Sequence, residues 1–313
     1  MNTGILVTGA AGFIGAALVR QLAGGGEPVV GLDIRAPAAP APGIRYEQAD
    51  IRDPSLADRI AALRPRVVVH LASVVAAGGD AARDHEIDVV GTGHVVAACL
   101  AAGARRLVVT SSGAAYGYHA DNAVPLTEDS PLRGNEDFPY SRHKRQVEEL
   151  LAAARLAHPE LEQVVFRPCT VLGPGVANQI TAIFERPVVI GLAGSATPFS
   201  LIAETDVVAA LGRACQADSP DGIYNLAGDG TLTLAAIAKR VGKPYLAVPP
   251  GLMRGTLGLA NRLGLTTLGP AQVNFLQYRP VLANDRLKSV FGYRPALSAA
   301  ETFDRYWQAR AAA

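Results

Sequence analysis

Two rhythms alternate along the first half of the chain. Short apolar, β-branched runs occupy Gly4 to Thr8, Pro28 to Asp33, Ile44 to Gln48, Val67 to Leu71 and Arg106 to Ser111. Between them, residues 16–23, 85–102 and 139–157, and a stretch opening near Pro54 and Ser55, carry helical spacing. The first rhythm is that of strands, the second that of helices. Val67 to Leu71 is apolar apart from His70, as expected of a strand covered on both faces. This alternation predicts an α/β fold built on a doubly wound parallel sheet, with ligands beyond the C-terminal ends of its strands. Later, helices are expected at Asp206 to Cys215, Leu232 to Val241, Asn284 to Phe291 and Ser298 to Trp307, with Ser298 as an N-cap, and a strand at Gly222 to Ala227. Gly251 to Leu265 is an aliphatic helix candidate broken by glycines, a pattern that suits core or dimer packing. No repeat is present, and the Pro/Ala-rich Ala36 to Pro42 is only loop length.

The junction between the first strand and the first helix contains Gly9, Gly12 and Gly15. Glycines in a strand–turn–helix permit a tight turn, close approach of backbone to a pyrophosphate, and close packing of helix on strand. The second strand ends in Asp33, where a carboxylate can accept hydrogen bonds from both ribose hydroxyls of an adenosine and repel a 2′-phosphate. That argues for NAD over NADP; Arg35 is the counter-signal. Asp53 reads as a helix-capping residue, and His70 as a structural strand-end histidine.

Tyr140 and Lys144 lie four apart, so on a helix they share one face. A free tyrosine titrates near ~10, and a neighbouring cation favours the phenolate, which makes the pair an acid/base device. Ser112 can hold a substrate oxygen beside that phenol. Tyr116 is a rival phenol without a lysine four residues on. The 313 residues are 49% hydrophobic and 18% charged, which excludes disorder, and 29 basic against 28 acidic side chains imply no field for nucleic acid or acidic lipid. Cys99, Cys169 and Cys215 lack metal-ligand spacing, and no metal is expected. They suggest reduced thiols in a cytoplasmic protein, as does a strand beginning at Ile5, with no room before it for a signal peptide; no apolar run is long enough for stable membrane insertion.

Thr8-Gly-Ala-Ala-Gly-Phe-Ile-Gly15, Asp33, Asp50-Ile51, His70-Leu-Ala72, Ser111-Ser-Gly-Ala-Ala-Tyr-Gly117 and Tyr140-Ser-Arg-His-Lys144 resemble, in order and spacing, the extended short-chain dehydrogenase/reductases, in particular their NAD-dependent epimerase/dehydratase branch. Arg167-Pro168, Gly173-Pro174, Asp206-Val207, Tyr224-Asn225-Leu226 and Phe291-Gly-Tyr-Arg-Pro295 extend the likeness over nearly the whole chain. The resemblance implies a Rossmann fold, with residues 1–173 binding NAD, 204–227 returning to that unit, and 174–203 with 228–313 forming a smaller, interleaved substrate-binding region. It implies Tyr140 as catalytic acid/base, Lys144 holding the nicotinamide ribose and lowering the tyrosine pKa, and Ser112 orienting the substrate oxygen. Cofactor contacts are expected at Gly9, Gly12, Phe13, Ile14, Gly15, Asp33, Asp50, Ile51, Leu71, Ala72, Ser73, Tyr140, Lys144 and Pro168. Substrate contacts are expected at Val75, Gly113, Thr170 and Arg279. It also implies a homodimer in which helices 85–102 and 139–157 pair as a four-helix bundle.

The chain leaves the nucleotide-sugar pattern after Pro168. Thr170 stands where those members resemble Arg-x-x-Asn-x-x-Gly-Pro with an Asn, and no Arg occurs from Gly191 to Leu211, where they usually carry one. A sugar diphosphate carries about two negative charges and needs charge-assisted partners when buried. Arg186, Arg254, Arg262 and Arg279 are the candidates to substitute, Arg279 best placed by motif. The expectation is therefore an oxidoreductase acting on a secondary alcohol or ketone that is not a standard nucleotide sugar. A nucleotide-sugar 4-epimerase or dehydratase with tightly bound NAD, and a non-catalytic NAD-binding regulator, are the alternatives.

Overall fold

Strand and helix alternate in the structure, a computed structural model describing residues 4–75, 80–266, 269 and 271–311. The chain forms β1 (Ile5–Thr8), α1 (Phe13–Ala23), β2 (Val29–Asp33), β3 (Arg45–Gln48), α2 (Leu56–Leu63), β4 (Val67–His70) and α3 (Ala81–His85). A π-helical turn at Glu86–Val90 then leads into α4 (Gly91–Ala102), followed by β5 (Arg106–Thr110), a 3-10 turn at Gly113–Tyr116, α5 (Pro139–Ala157) and β6 (Glu162–Pro168). Beyond these come β7 (Thr170–Leu172), α6 (Thr181–Glu185), β8 (Val189–Leu192), β9 (Pro198–Phe199), β10 (Leu201–Ala203), α7 (Glu204–Ala214) and β11 (Gly222–Leu226). The last elements are β12 (Leu232–Thr233), α8 (Leu234–Arg240), β13 (Tyr245–Val248), α9 (Pro250–Arg262), α10 (Ala271–Gln277), α11 (Asp285–Ser289) and α12 (Ala299–Ala311).

Seven strands pair in the order β11-β6-β5-β4-β1-β2-β3, every neighbouring pair parallel. Successive strand residues point to opposite faces, so Val7 and Val69 enter one core with Leu18 and Leu211, while Leu6 and Val68 enter another with Ile60, Val95, Val147 and Leu151. Each large aliphatic side chain so buried contributes about 1.5–3 kcal/mol. Thr8 registers with His70, Thr110 with Phe166 and Leu226 with Pro168, which brings the strand C-termini to one edge.

Near its end the chain returns to the sheet unit. Leu287, Phe291 and Tyr293, expected in the substrate-binding region, pack in the first sheet core. Asp206, 1% exposed, accepts hydrogen bonds from the Tyr293 hydroxyl and the Ala296 N–H, both at 2.7 Å. A buried carboxylate requires such donors, and this pairing pulls the segment back onto α7. The smaller region is built from three two-stranded pairs, β7 with β10, β9 with β12 and β8 with β13, around Phe184, Phe199 and Phe303. Ser298 and Glu301 form a capping box at α12: the serine hydroxyl accepts from Glu301 N at 3.3 Å and the Glu301 carboxylate accepts from Ser298 N at 2.8 Å. Core packing fails for α9, which has no buried residue and exposes Leu252 and Leu259 by 59% and 61%.

His70 ties β4 to β1 and α4, with Nδ1 2.8 Å from Thr8 Oγ1 and Nε2 3.0 Å from Thr92 Oγ1. Burial foremost, then the Lys144 charge, pushes its pKa down to about 4, partly opposed by Asp88. The folded state therefore binds this proton less readily than the unfolded chain does. Stability falls as pH drops below the unfolded value near ~6.5 and levels off below the folded one, a contribution of roughly 3 kcal/mol. Urea unfolding between pH 7 and pH 4 is expected to give a wild-type slope steeper than that of His70→Gln by up to about one proton; equal slopes would refute the assignment.

Candidate functional site

The β1–α1 turn fits a dinucleotide phosphate. Gly9 has φ +72°, and a Cβ there would lie 2.7 Å from Ala72 N; one at Gly15 would lie 2.0 Å from Gly9 O. Both positions therefore require glycine, and the backbone of β1, α1 and the Leu71–Ala72 segment meets as a close cradle. Gly12 is the N-cap of α1, no side chain caps that terminus, and its first turn contains no acid. Free N–H groups and the positive end of the helix dipole there suit an anion. Phe13 beside it is 41% exposed. Asp33 adjoins the cradle: Oδ2 accepts Ala11 N and Oδ1 accepts Arg35 N, each at 2.9 Å. The Arg35 side chain is 71% exposed.

The neighbouring predicted positions are differently engaged. Asp50 is gripped by the Arg52 side chain and backbone N–H, and that guanidinium holds its carboxyl below the usual range. Ile51 is buried in the second sheet core, against Gly91. Asp53, expected to cap α2, lies two residues before the N-cap Ser55, where no side chain caps the helix; the carboxylate instead accepts Ser55 N at 2.9 Å in the turn that leads into the helix. Val75 is 70% exposed, and Ala76 and Ala77 after it lie outside the described residues.

Ser112, Tyr140 and Lys144 come from three turns that the fold binds together. Ser112 follows β5 and caps the 3-10 turn, its hydroxyl accepting Ala114 N at 3.1 Å. Ser141, fully buried, donates to Ala114 O at 2.6 Å and accepts Asn135 N at 3.1 Å, so the first turn of α5 is bonded to the turn that carries Ser112. Tyr140 is partly exposed, its hydroxyl makes no hydrogen bond among the described residues, and Lys144 Nζ lies 5.5 Å from its ring centroid. The ammonium donates to Ser73 Oγ at 2.6 Å and stands 3.9 Å from Asp88. Asp88, 2% exposed, in turn accepts from Ser73 Oγ at 2.8 Å and Val74 N at 2.9 Å. Sequence reading passed over both Ser141 and Asp88. A lone carboxylate in the apolar run Ile87-Asp88-Val89-Val90 was the available sign, but the π turn that aims it inward was not legible.

Beneath these groups, Arg167 and Glu148 form an ion pair with both side chains 3% exposed. Glu148 also accepts Ser111 Oγ at 2.7 Å, while Arg167 donates to the Tyr116 hydroxyl at 2.8 Å and the Glu128 carbonyl at 3.0 Å. Tyr116, fully buried and pushed up to about 12 chiefly by burial, donates to Asn225 Oδ1 at 2.8 Å and is a structural phenol.

Two expected substrate residues meet at the sheet edge. Arg279 Nη2 donates to Thr170 Oγ1 at 2.9 Å. Pro168 and Leu282 flank Gly113, where a Cβ would lie 3.0 Å from Leu282 Cδ1. Of the other arginines, Arg186 and Arg262 are exposed, and Arg254 donates to Asn274 and Gln277.

Gly15→Ala forces its methyl group against Gly9 O and opens the cradle. Affinity for NAD is expected to fall at least about tenfold, a loss of about 1.4 kcal/mol, in a fluorescence titration; unchanged affinity would count against this phosphate site.

The profile of the NAD dependent epimerase/dehydratase family matches residues 5–227. A UDP-glucose 4-epimerase of Mycolicibacterium smegmatis is 36% identical over 59% of this chain and 63% of its own length. A 2-alkyl-3-oxoalkanoate reductase of Stenotrophomonas maltophilia is 33% identical over 58% of this chain and 55% of its own. Among solved structures, the Bordetella bronchiseptica enzyme WbmG in complex with NAD and UDP superimposes with TM-score 0.78 at 20% identity, over 100% of this chain and 95% of that one. The chain is thus an NAD-dependent enzyme of the NAD dependent epimerase/dehydratase family, with the Rossmann-like fold of the extended short-chain dehydrogenase/reductases.

Proposed function

We propose that the protein transfers hydride between NAD and a secondary alcohol or ketone that is not a standard nucleotide sugar, with Tyr140 as acid/base. The observation that carries this reading is the convergence of Ser112, the unengaged Tyr140 hydroxyl and the Lys144 ammonium around bonded turns. Phosphates are held by the backbone of Gly12, Phe13, Ile14 and Gly15, the adenosine ribose by Asp33, and the nicotinamide end by Ser73, Lys144 and Pro168, beside Leu71 and Ala72. When bound, NAD supplies the hydride acceptor. Ser112 holds the substrate oxygen, Tyr140 removes its proton as the alcohol is oxidised, and the Lys144 charge stabilises the negative charge developing on the phenol oxygen. Gly113 and Thr170 border the substrate.

The likeness to a reductase supports net oxidation or reduction. The more similar 4-epimerase favours the second reading, in which the ketone is returned to the alcohol and NAD is retained. The proposal includes a cytoplasmic homodimer. Its supports are the unpaired cysteines, and on α4 and α5 the exposed Ala97, Ala101, Ala152 and Ala153 with Leu156 at 87% exposure.

A screen of secondary alcohols and ketones at the nicotinamide absorbance band tests the chemistry. Tyr140→Phe is expected to lower kcat by about 10²- to 10⁴-fold, far more than it lowers NAD affinity. Epimerisation of UDP-glucose without net cofactor turnover would hand the protein to the second reading. Asp88→Asn retains an acceptor for Ser73 and Val74 but removes a negative charge near Lys144 and Tyr140. The rising limb of the pH–rate profile for alcohol oxidation is expected to move to lower pH; an unmoved limb would leave Asp88 a purely structural part.

A further inference from the structure

An apolar face of α9 is turned to solvent. Leu252, Leu259 and, at its C-terminal cap, Leu263 are each more exposed than buried, as is Leu265 just beyond. Spaced seven and then four residues apart, the first three fall within about 40° of one another around the helix axis, in a single stripe. Thr256 lies in the same stripe, and its hydroxyl is spent on the helix's own backbone, donating to Leu252 O at 3.0 Å and Met253 O at 3.1 Å. A Cβ at Gly251, Gly255 or Gly264 would meet nothing within 4 Å, so the ridge stands clear of the described residues around it. From behind, α9 is fixed to α10: half-buried Arg254 donates to Asn274 Oδ1 at 2.9 Å and to Gln277 Oε1 at 3.2 Å. Leucines aligned in this way and left in water mark a surface that something else covers.

Charge selects the cover. The near balance of the whole chain does not hold locally: from Pro244 to Asn284 there are three arginines and no acid, so all 28 acidic side chains lie elsewhere. Arg262 flanks the stripe between Leu259 and Leu263, is exposed, and has no ion pair among the described residues. A second copy docked symmetrically on this face would present the same acid-free segment and bring Arg262 towards its own counterpart, like charge against like. A protein partner must supply a groove shaped to the ridge. The acyl region of a bilayer admits protruding leucines in any arrangement, and anionic headgroups meet the arginine at the rim.

We infer that α9 is the docking surface for an anionic lipid membrane. The helix lies in the plane of the interface, with Leu252, Leu259, Leu263 and Leu265 among the acyl chains and Arg262 at the headgroups. Attachment is peripheral and reversible: among the described residues no helix is long and apolar enough to cross a membrane, and the stripe reaches no deeper than its side chains.

The test is co-sedimentation of the full chain with vesicles of phosphatidylcholine alone and of equal parts phosphatidylcholine and phosphatidylglycerol. The anionic vesicles are expected to bind about fivefold more tightly than the neutral ones, and Arg262→Gln should remove that preference. Leu259→Ser combined with Leu263→Ser should weaken binding to both by at least about tenfold, with melting temperature and NAD affinity unchanged. Absence of sedimentation with either vesicle, equal binding to the two, or undiminished binding by the double variant would overturn the inference. A wild-type oligomer larger than that of the double variant, without vesicle binding, would overturn it in favour of a second copy of the chain. Binding to polyglutamate but not to vesicles would overturn it in favour of an acidic protein.

Discussion

The edge of the sheet where the strand C-termini meet depends on the buried pair Glu148–Arg167. Glu148 sits two turns along α5 from Tyr140, and Arg167 ends β6; through Ser111 the same carboxylate reaches β5, and through Tyr116 and Glu128 the same guanidinium reaches the loop before α5. Two charges taken out of water are held only because nearly every donor and acceptor they offer is used. The arrangement fixes the height and rotation of α5 relative to the strand that delivers Ser112. Ser141 completes the fixing about two turns nearer the start of α5. The turn that carries Ser112 and the first turn of α5, which carries Tyr140, are thereby held together, and the Tyr140 hydroxyl makes no hydrogen bond among the described residues.

Lys144 illustrates a second constraint. An ammonium 5% exposed needs an anion or several oxygens, and Ser73 with Asp88 provides both. The lysine is therefore positioned by the chain itself. Arg279 is the opposite case, a cation whose Nη1 has no hydrogen-bond partner among the described residues.

Periodicity made the sheet unit legible, since β-branched runs of four or five residues separated by helical segments have few folds open to them. The glycine turn, Asp33, Ser112, Tyr140 and Lys144 were legible because each belongs to a motif of fixed local spacing. Asp88, Ser141 and the Asp206–Tyr293 bond were not. Each makes its decisive contact with residues distant in sequence or depends on a local helix irregularity, and a one-dimensional pattern carries neither. The smaller region was hardest to read because strands of two to four residues, such as β9 and β12, are too short to display alternation. Leu252 and Leu259 of α9 resemble core residues in sequence yet face outward, since apolar character states a preference for burial and not whether the fold supplies a partner.

The π turn at Glu86–Val90 makes the site dependent on a residue count. One turn there accommodates an additional residue relative to the α-helix that flanks it, and the surplus is what lets Asp88 face Ser73 and Lys144 while Thr92 still meets His70. Removing a single residue from that turn would restore regular helix and rotate everything before it by about 100° relative to α4. Within this stretch the length of the chain, and not only its chemistry, sets where Asp88 points.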